Sequence, residues 1–349
     1  MKKISFVVDK PYYNNKIFDS NYLGSNFFEL MKEKFNDLGF AISSNDILPP
    51  SEADIILYND YRKKYKYKNK LHVLLAMESI AVKPDNFNLK KIVKFDIVFT
   101  WNSEIVDNVK ILNLNYSYDL SYSKFLNFNQ KNKFICNISA NKFSNHPSEL
   151  YSERIRAIEF FEEYKGLDLY GFSWNESFKF PNIYNFFKLL NNYKILRGLG
   201  KILIKILKTL SLHRLIFKEY RCYKGVIEDK YLVLKKYKFS ICYENVTNIE
   251  GYITEKIFDC FKTGTVPIYL GANDIKDYIP ETTFIDKRNF SSYDELYNYL
   301  LSIDEERYTE YQENISNYLK SSRARVFDSD YNAKILVDGI IREYNNKFL

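Results

Sequence analysis

Cysteine and histidine are scarce in this sequence of 349 residues, which contains four and three of them respectively. The cysteines form no C-x-x-C pair and two of them lie within apolar segments, so we expect reduced and mostly buried thiols. The histidines are scattered without metal-ligand spacing, which argues against a structural zinc site. These scarcities exclude a disulfide-stapled scaffold and favour a cytoplasmic protein. The residues concerned are Cys136, Cys222, Cys242, Cys260, His72, His146 and His213.

Long apolar runs are also missing from the sequence. No uninterrupted apolar segment approaches the ~20 residues that a membrane-spanning helix needs. The start, MKKISFVVDK, has the basic residues and the short apolar run of a signal peptide, but Asp9 and Lys10 end that run after five residues. This segment therefore predicts a first β-strand, and we expect no membrane anchor.

Apolar residues make up 46% and charged residues 27% of the chain, as in an ordinary globular protein, and the length suits two domains. Short apolar strands alternate with helical patterns, which predicts an α/β fold. The predicted strands of the first half span residues 4–9, 54–59, 71–77, 96–100 and 134–139, with helices at 27–38 and 149–165. We expect two further helices near the C-terminus, at 305–322 and 332–346.

Residues 60–70, DYRKKYKYKNK, form a basic and aromatic run in a chain whose net charge is +7. Such a run is compatible with a nucleic-acid-binding surface, but a single short segment of this kind is more typical of a solvated loop. We expect no nucleic-acid partner.

The most informative stretch runs from Lys238 to Pro280. An apolar run at 239–243 predicts a buried strand, a polar loop leads into a helix that Gly264 ends, and residues 266–270 predict a second strand. In open parallel sheets, ligands bind where strands run into the following helices. A helix start and a nearby lysine favour an anion there, and the combination suits a diphosphate. The polar residues at this point are Glu244, Asn245, Tyr252, Glu255 and Lys256.

This stretch resembles the donor-site signature of the α1,3-fucosyltransferases of glycosyltransferase family ten. The signature reads F-x-x-x-x-E-N, then Y-[VI]-T-E-K, then G-x-V-P-[IV]-x-x-G, and its parts stand here at Phe239–Asn245, Tyr252–Lys256 and Gly264–Gly271. The resemblance implies a GT-B architecture, with two Rossmann-like domains facing a central cleft. It also implies transfer of L-fucose from GDP-fucose, with inversion at the anomeric carbon, to a hydroxyl of a bacterial surface glycan, O3 or O4 of N-acetylglucosamine.

On this basis we expect an acceptor-side domain over residues 1–165, a GDP-fucose-binding domain over 166–330 and a C-terminal helix over 331–349. Residues 188–224 match no core motif of the family and read as an insertion. This segment holds ten basic residues and one acidic residue among leucines and isoleucines. Its composition fits an amphipathic helix on an anionic inner membrane face, and it fits nearly as well a helix that packs its apolar side on the domain.

Glu78 stands at the end of a predicted strand, where a carboxylate points into the cleft and can accept a proton from an incoming hydroxyl. A carboxylate that caps nearby backbone explains the same position equally well from the sequence. The family carries an E-S-P-like element here, and its glutamate is the proposed general base. The present A-M-E-S-I-A differs in having Ile80 in place of the proline.

A phosphate-binding arginine is the third element that the resemblance implies. Arg154 and Arg156 are about 200° apart around the predicted helix, so they cannot share a face. Arg156 aligns better with the family pattern and is the predicted ligand. The sequence leaves open whether Arg154 or Arg156 contacts phosphate, or whether Arg156 is a plain surface residue.

The resemblance also implies how these residues work together. Lys256 and Arg156 neutralise the leaving diphosphate, while Glu255 and Tyr252 contact the fucose or the ribose. Glu244 and Asn245 shape the nucleotide pocket, and Glu255 joins Glu78 as a catalytic residue. No metal is required, and a divalent ion is at most stimulatory. The D-x-D at residues 328–330 lies far from the donor motif in the sequence and is interpreted as a turn.

Two other functions stay open on the sequence. One is a transferase of the same fold that uses another nucleotide sugar. The other is a peripheral membrane or nucleic-acid-binding protein without activity, for which the basic segments are the functional feature. The sequence does not identify the acceptor. The choice between lipopolysaccharide, capsule and free oligosaccharide stays open.

Overall fold

The structure of the protein is a computed structural model that describes residues 1–20, 25–63, 65–164, 166–178 and 217–349. It contains two six-stranded parallel sheets, each covered by helices, and a short antiparallel strand pair. The predicted α/β class and the two Rossmann-like units are confirmed. Most of the predicted insertion, residues 188–216, lies outside the described residues.

The first sheet forms the N-terminal domain and has the strand order β2-β1-β3-β4-β5-β6. Its central strands are buried on both faces, as the continuous apolar run of β4 requires in a parallel sheet. The order reverses between β1 and β3, which are hydrogen-bonded neighbours. The strands are β1 (Lys2–Val7), β2 (Phe40–Ser44), β3 (Ile55–Asn59), β4 (Leu71–Ala76), β5 (Ile97–Thr100) and β6 (Ile111–Asn113).

The second sheet forms the C-terminal domain and has the order β11-β8-β7-β12-β13-β14. Numbered from its own first strand, this is the 3-2-1-4-5-6 order of dinucleotide-binding folds, which reverses between β7 and β12. Its strands are β7 (Lys133–Ile138), β8 (Leu167–Tyr170), β11 (Tyr223–Gly225), β12 (Tyr237–Tyr243), β13 (Val266–Leu270) and β14 (Ile285–Asp286). The antiparallel pair is β9 (Ser177–Phe178) with β10 (Phe217–Lys218).

Nine α-helices lie within the described residues. They are α1 (Phe27–Asp37), α2 (Leu89–Ile92), α3 (Tyr151–Glu163), α4 (Lys230–Leu234), α5 (Glu255–Thr263), α6 (Ile275–Tyr278), α7 (Tyr293–Ser302), α8 (Glu305–Leu319) and α9 (Ser329–Phe348). The last helix, α9, returns to the N-terminal domain, where Ala333, Leu336 and Ile340 join the core that also contains Met31 of α1.

The predicted domain boundary at 165/166 needs correction. Strand β7 pairs with β8 on one side and with β12 on the other, so residues from Lys133 onward already belong to the second sheet. The chain changes sheet between β6, which ends at Asn113, and β7. A strand pattern identifies a strand but not the sheet it joins, and for this reason the prediction placed β7 and α3 in the first domain.

Two glycines set the course of the chain near the cleft. Gly264 ends α5 with φ +62°, and a Cβ there would lie 2.4 Å from the ring of Phe125. Gly251 has φ +75°, and a Cβ there would lie 2.4 Å from the carbonyl oxygen of Trp101 in the first domain. A real Cβ essentially never comes this close to a backbone atom, so only glycine fits at this position. The loop that precedes α5 therefore packs directly against the N-terminal domain.

Other expectations have simple outcomes. All four cysteines are free and buried, as predicted. In the D-x-D at residues 328–330, Asp328 is the N-cap of α9 and accepts a hydrogen bond from the N–H of Tyr331. The motif therefore begins a helix, and its interpretation as a turn was wrong. Among the described residues, no helix combines the length and the apolar character that crossing a membrane requires.

Candidate active site

Two cavities lie at the points where the two strand orders reverse, which is where open α/β sheets bind ligands. The C-domain cavity has a volume of about 320 Å³ and is lined by the ends of β7 and β12, including Asn137 and Tyr243. The N-domain cavity measures about 480 Å³ and is lined by residues that follow β1 and β3, including Asp9 and Asp60. The fold alone therefore places one candidate site in each domain.

The two cavities meet at a common wall, which we call the junction. Both are lined by five residues that come from the two domains and the linker between them, namely Glu78, Tyr116, Lys230, Glu255 and Asp259. Ligands bound in the two cavities would therefore meet at these side chains. Such an arrangement suits the transfer of a group from one molecule to a second one.

The start of α5 is fixed by the buried carboxylate of Glu244. The N–H of Thr254 donates to Glu244 Oε1 at 2.8 Å, and the hydroxyl of Thr254 donates to Oε2 at 2.6 Å. The ammonium of Lys256 also donates to Oε2, at 3.0 Å. Glu244 is completely buried and does not line the C-domain cavity. Glu244 therefore holds the residues that line the cavity in place. It does not line the cavity itself, although it was predicted to shape the nucleotide pocket.

Glu255 and Lys256 are the first two residues of this helix, and both are charged. Although desolvation works against its charge, the carboxylates of Glu244 and Glu255 raise the pKa of Lys256, so it carries a proton at any physiological pH. Desolvation also opposes ionisation of Glu255, but the charges of Lys256 and Lys230 lower the pKa of that carboxyl. Both side chains line the C-domain cavity. Lys256 is thus a permanent cation beside the free N–H groups of a helix start, which is a place for an anion.

Exchanging Glu244 for glutamine should therefore destabilise the protein by about 2 kcal/mol, because it leaves the Lys256 ammonium without its buried counter-charge. Urea unfolding of the variant measures this loss. Glu250→Gln, which changes an exposed carboxylate in the same loop, is the matched control and should unfold like the wild type. Equal midpoints for both variants would contradict the supporting role of Glu244.

Glu78 sits on a turn that is held from several sides. The carboxylate of Asp60 accepts hydrogen bonds from the backbone N–H groups of Met77 and Glu78 and from the side chain of Asn86, at 2.9–3.0 Å. The indole of Trp101 donates to the carbonyl oxygen of Met77 at 2.6 Å. The turn therefore presents the Glu78 side chain to both cavities in a fixed position.

The carboxyl of Glu78 is partly buried and its pKa is raised. Its Oε2 is buried and has no hydrogen-bond partner among the described residues. Desolvation and the neighbouring Asp60 carboxylate raise the pKa of Glu78 above its ordinary value, and Lys142 opposes that rise. A raised pKa brings a carboxylate closer to the operating pH, which makes it a better proton acceptor.

The two arginines of α3 have opposite environments. Arg154 is 3% exposed, lines the C-domain cavity and donates from Nη2 to the carbonyl oxygens of Tyr243 and Glu244 at 2.7 and 3.0 Å. The side chain of Arg156 is 68% exposed and pairs with Glu153 at 2.5 Å on the outside of the helix. The structure thus brings Arg154 to the site and leaves Arg156, the predicted ligand, on the surface.

Asn245 and Tyr252 complete the predicted set. Both line the C-domain cavity, and the amide of Asn245 donates to the hydroxyl of Tyr252 at 3.2 Å. Tyr252 is buried and packs on Trp101 with ring centroids 4.7 Å apart, so it connects the loop before α5 to the first domain. Five of the seven predicted site residues line the C-domain cavity, namely Glu78, Asn245, Tyr252, Glu255 and Lys256. Arg154, which the sequence left open as the alternative to Arg156, lines it as well.

Sequence reasoning missed several charged residues at the site, among them Asp60, Lys142, Lys230 and Asp259. Asp60 directly follows β3, so the rule that ligands gather at strand ends would have found it. Asp259 lies four residues after Glu255 and hence on the same face of α5. No sequence pattern indicated that Lys230 belongs to the site, because only the packing of α4 against α5 brings it to the junction.

Two further expectations concern metal and the basic loop. Over the ranges that the structure describes, no three His, Cys, Asp or Glu side chains are grouped to hold a metal ion. In the basic loop, Tyr65 and Tyr67 are exposed and stack on each other, while Arg62 pairs with Asp9.

Comparison with known proteins gives consistent matches. Residues 208–330 match the model of glycosyltransferase family 10 (fucosyltransferase), C-terminal part. An α-(1,4)-fucosyltransferase of Arabidopsis thaliana is 41% identical over 80 residues, which cover 22% of this chain and 20% of that protein. An α-(1,3)-fucosyltransferase of Helicobacter pylori is 39% identical over 75 residues, covering 21% and 15%. The alignments thus span a fifth or less of these relatives.

The likeness to solved structures extends over the whole chain. The crystal structure of an α1,3-fucosyltransferase with GDP superposes with a TM-score of 0.55, at 14% sequence identity, over 100% of this chain and 92% of that one. At this identity the superposition shows the fold. The family match and the fold together confirm the resemblance drawn from the sequence: the chain has the GT-B fold, and its residues 208–330 match the model of the C-terminal part of glycosyltransferase family 10.

Proposed function

We propose that this protein is an inverting glycosyltransferase that moves L-fucose from GDP-fucose to a hydroxyl group of a bacterial surface glycan. The observation that carries the proposal is the junction, where a cavity with a fixed cationic helix start meets a second cavity at the partly buried carboxylate of Glu78. GDP-fucose would occupy the C-domain cavity and the acceptor the N-domain cavity.

The donor diphosphate would lie against the start of α5. Lys256 supplies a permanent positive charge and the first turn of the helix supplies N–H donors. Arg154 adds a second buried cation to the same cavity. When the bond to the sugar breaks, negative charge builds up on the diphosphate, and groups already oriented toward it stabilise that charge without rearranging. The proposed chemistry therefore needs no metal ion as an electrophile.

Inversion in one step requires a base on the acceptor side. The acceptor hydroxyl would attack the anomeric carbon of fucose while Glu78 takes its proton, and the electrons of the breaking carbon–oxygen bond would leave with GDP. Glu255, whose pKa is lowered by Lys256 and Lys230 despite desolvation, stays ionised. Its negative charge would stabilise the oxocarbenium character of the transition state from the junction.

The N-domain cavity, which we assign to the acceptor, has several aromatic and apolar residues in its wall. Its walls include the aromatic side chains of Tyr12, Phe27 and Phe28 together with Met77. Aromatic rings suit the apolar face of a sugar ring, while Glu78 receives its hydroxyl. We propose O3 or O4 of N-acetylglucosamine as the hydroxyl that reacts.

We further propose that the enzyme acts at the inner membrane face through residues 188–224. Seven of the ten basic residues of that segment lie outside the described residues. Of the other three, Lys218 pairs with Glu159 and Lys224 with Asp168. The membrane proposal therefore depends on the charge of the sequence rather than on observed contacts.

A nucleotide panel tests the donor assignment. Calorimetric titration should give tighter binding for GDP and GDP-fucose than for UDP, UDP-glucose and UDP-N-acetylglucosamine. A preference for a uridine nucleotide would replace the proposal by a transferase of the same fold with another donor. Absence of binding to every nucleotide would contradict a transferase altogether and support a binding protein.

The arginine pair of α3 offers a matched comparison. Arg154→Ala should weaken GDP binding roughly tenfold, because it removes a buried cation from the cavity. Arg156→Ala should bind GDP like the wild type, since its side chain is on the surface. Circular dichroism checks that Arg154→Ala is folded. A larger loss of affinity in Arg156→Ala than in Arg154→Ala would restore the assignment made from the sequence.

The raised pKa of Glu78 predicts the pH dependence of the reaction. A base works only when ionised, so kcat/KM should fall as the pH drops through the raised pKa of Glu78, above the ordinary range of a glutamate. The groups that face Glu78 are Asp60 and Glu255, which raise this pKa, and Lys142 and Lys256, which lower it. Removing the Lys142 charge by substitution with methionine should move the acid limb to higher pH. An unmoved limb would assign it to another group.

A further inference from the structure

Of two charged residues of the junction, Asp259 has no part in the reaction described above, and Lys230 enters it only through its effect on the pKa of Glu255. They line both cavities, together with Glu78 and Glu255. Lys230 is the first residue of α4 and Asp259 lies in the second turn of α5, so the pair joins two helices of the C-terminal domain.

The geometry of the pair is close. Lys230 Nζ lies 2.7 Å from Asp259 Oδ2, with the side chains 31% and 13% exposed. Asp259 follows Glu255 by one helical turn, so two carboxylates stand side by side on one face of α5. The charge of Lys230 favours the ionised form of both. The cluster therefore presents two carboxylates and one ammonium to the junction.

Stability does not account for this arrangement. A partly buried ion pair loses hydration that its mutual attraction hardly restores, and two carboxylates one turn apart on a helix repel each other. Burial raises the pKa of Asp259 to about 6 in spite of the neighbouring ammonium. Charged groups that persist at such a cost beside a cavity are typical of functional sites.

Carboxylates and an ammonium group are suited to binding the hydroxyl groups of a sugar ring. Carboxylate oxygens accept hydrogen bonds from hydroxyl groups, and an ammonium donates to their lone pairs. The transferred sugar is attached to the diphosphate, which the proposed function places at the start of α5. Asp259 lies one turn along the same helix and Lys230 lies against it.

We propose that Lys230 and Asp259 bind the hydroxyl groups of the transferred sugar and thereby determine which sugar ring the donor carries. The inference rests on the proposed function and adds to it the residues that select the sugar. Lys230 and Asp259 line the junction, where the proposed function has the sugar pass from the donor to the acceptor. At this place the pair would contact the sugar moiety and not the nucleotide.

The test compares GDP with GDP-fucose in calorimetric titrations of the wild type, Asp259→Asn and Lys230→Met. Each substitution should weaken GDP-fucose roughly tenfold, the effect of losing a hydrogen bond to a charged group, and should leave the affinity for GDP within about twofold, as losses well under 1.4 kcal/mol do. Asp338→Asn, which breaks an exposed lysine–aspartate pair on α9, is the control and should change neither. Lys230→Met keeps the test decisive if Asp259→Asn does not fold, because Lys230 lies at the end of a short helix.

Competition between donors extends the test to selectivity. With GDP-fucose and GDP-mannose together, both variants should discriminate less between the two sugars than the wild type does, while the KM for the acceptor stays unchanged. Equal weakening of GDP and GDP-fucose, or a raised acceptor KM with unchanged donor binding, would overturn the inference while leaving the proposed function intact. Wild-type protein that binds neither GDP nor GDP-fucose would overturn both.

Discussion

Glu78→Gln is expected to lower the rate of fucose transfer by roughly 10²–10⁴-fold while GDP-fucose still binds. Glutamine has nearly the shape of glutamate, so it can keep the turn that Asp60 and Trp101 hold in place. It cannot accept the proton of the attacking hydroxyl. The loss should therefore fall on kcat, and the affinity for the donor should stay within a few-fold of the wild type.

The measurement is a steady-state assay combined with a donor titration of the same sample. Glu33→Gln, an exposed carboxylate on α1 of the same domain, is the matched control and should transfer fucose like the wild type. Activity of Glu78→Gln within a few-fold of the wild type would mean that the base lies elsewhere in the cleft.

Lys256→Ala should have the second largest effect, because the leaving diphosphate then loses a partly buried cation. One such electrostatic contact is worth on the order of 3 kcal/mol, or about a hundredfold in rate. GDP binding should weaken as well, since the charge is already present on the ground-state diphosphate. This double loss distinguishes Lys256 from Glu78, whose exchange should affect the chemical step alone.

The control for this variant must separate charge from folding. Lys256 also pairs with the buried Glu244, so thermal unfolding has to show that the variant is folded under assay conditions. Lys276→Ala, which removes an exposed lysine paired with Glu281, changes the net charge equally and should leave both binding and rate unchanged. Unaltered GDP affinity in folded Lys256→Ala would remove the diphosphate from the start of α5.

Much of the fold followed from the sequence because it depends on local patterns. The apolar runs of β4 and β12 are long and continuous, and the helix that follows Tyr252 ends at a glycine, so each element has a strong local signal. Strand β2, with the sequence FAISS, and β6, with only three residues, have weak signals and were not predicted. The sheet to which β7 belongs depends on contacts distant in sequence, which no local pattern shows.

The residues of the site also fall into two groups, those that a local sequence pattern predicts and those whose position depends on tertiary packing. Glu244, Asn245, Glu255 and Lys256 follow from the position of a loop between a strand and a helix, although whether Glu244 faces the cavity or supports it from behind is a matter of packing. The choice between the two arginines of α3 depended on the rotation of that helix. Its apolar residues fixed which face is buried, and Arg154 lies on that buried face beside Ala157, Ile158 and Phe161.

Lys230 and Asp259 show where sequence reasoning ends. Asp259 belongs to a predicted helix and Lys230 follows the basic segment, so nothing in the order of residues joins them. Their ion pair exists because α4 and α5 pack side by side next to the reversal of strand order. A site built at a switch point draws residues from many elements, and only the tertiary structure brings them together.

The most direct test of the account is the stereochemical course of the reaction. The protein is incubated with GDP-β-L-fucose and acceptors that contain N-acetylglucosamine, and the product is identified by mass spectrometry and by the NMR signal of its anomeric proton. The account predicts a fucosylated product with the α configuration and release of one GDP for each fucose transferred. A β-linked product, or transfer from another nucleotide sugar with none from GDP-fucose, would contradict it.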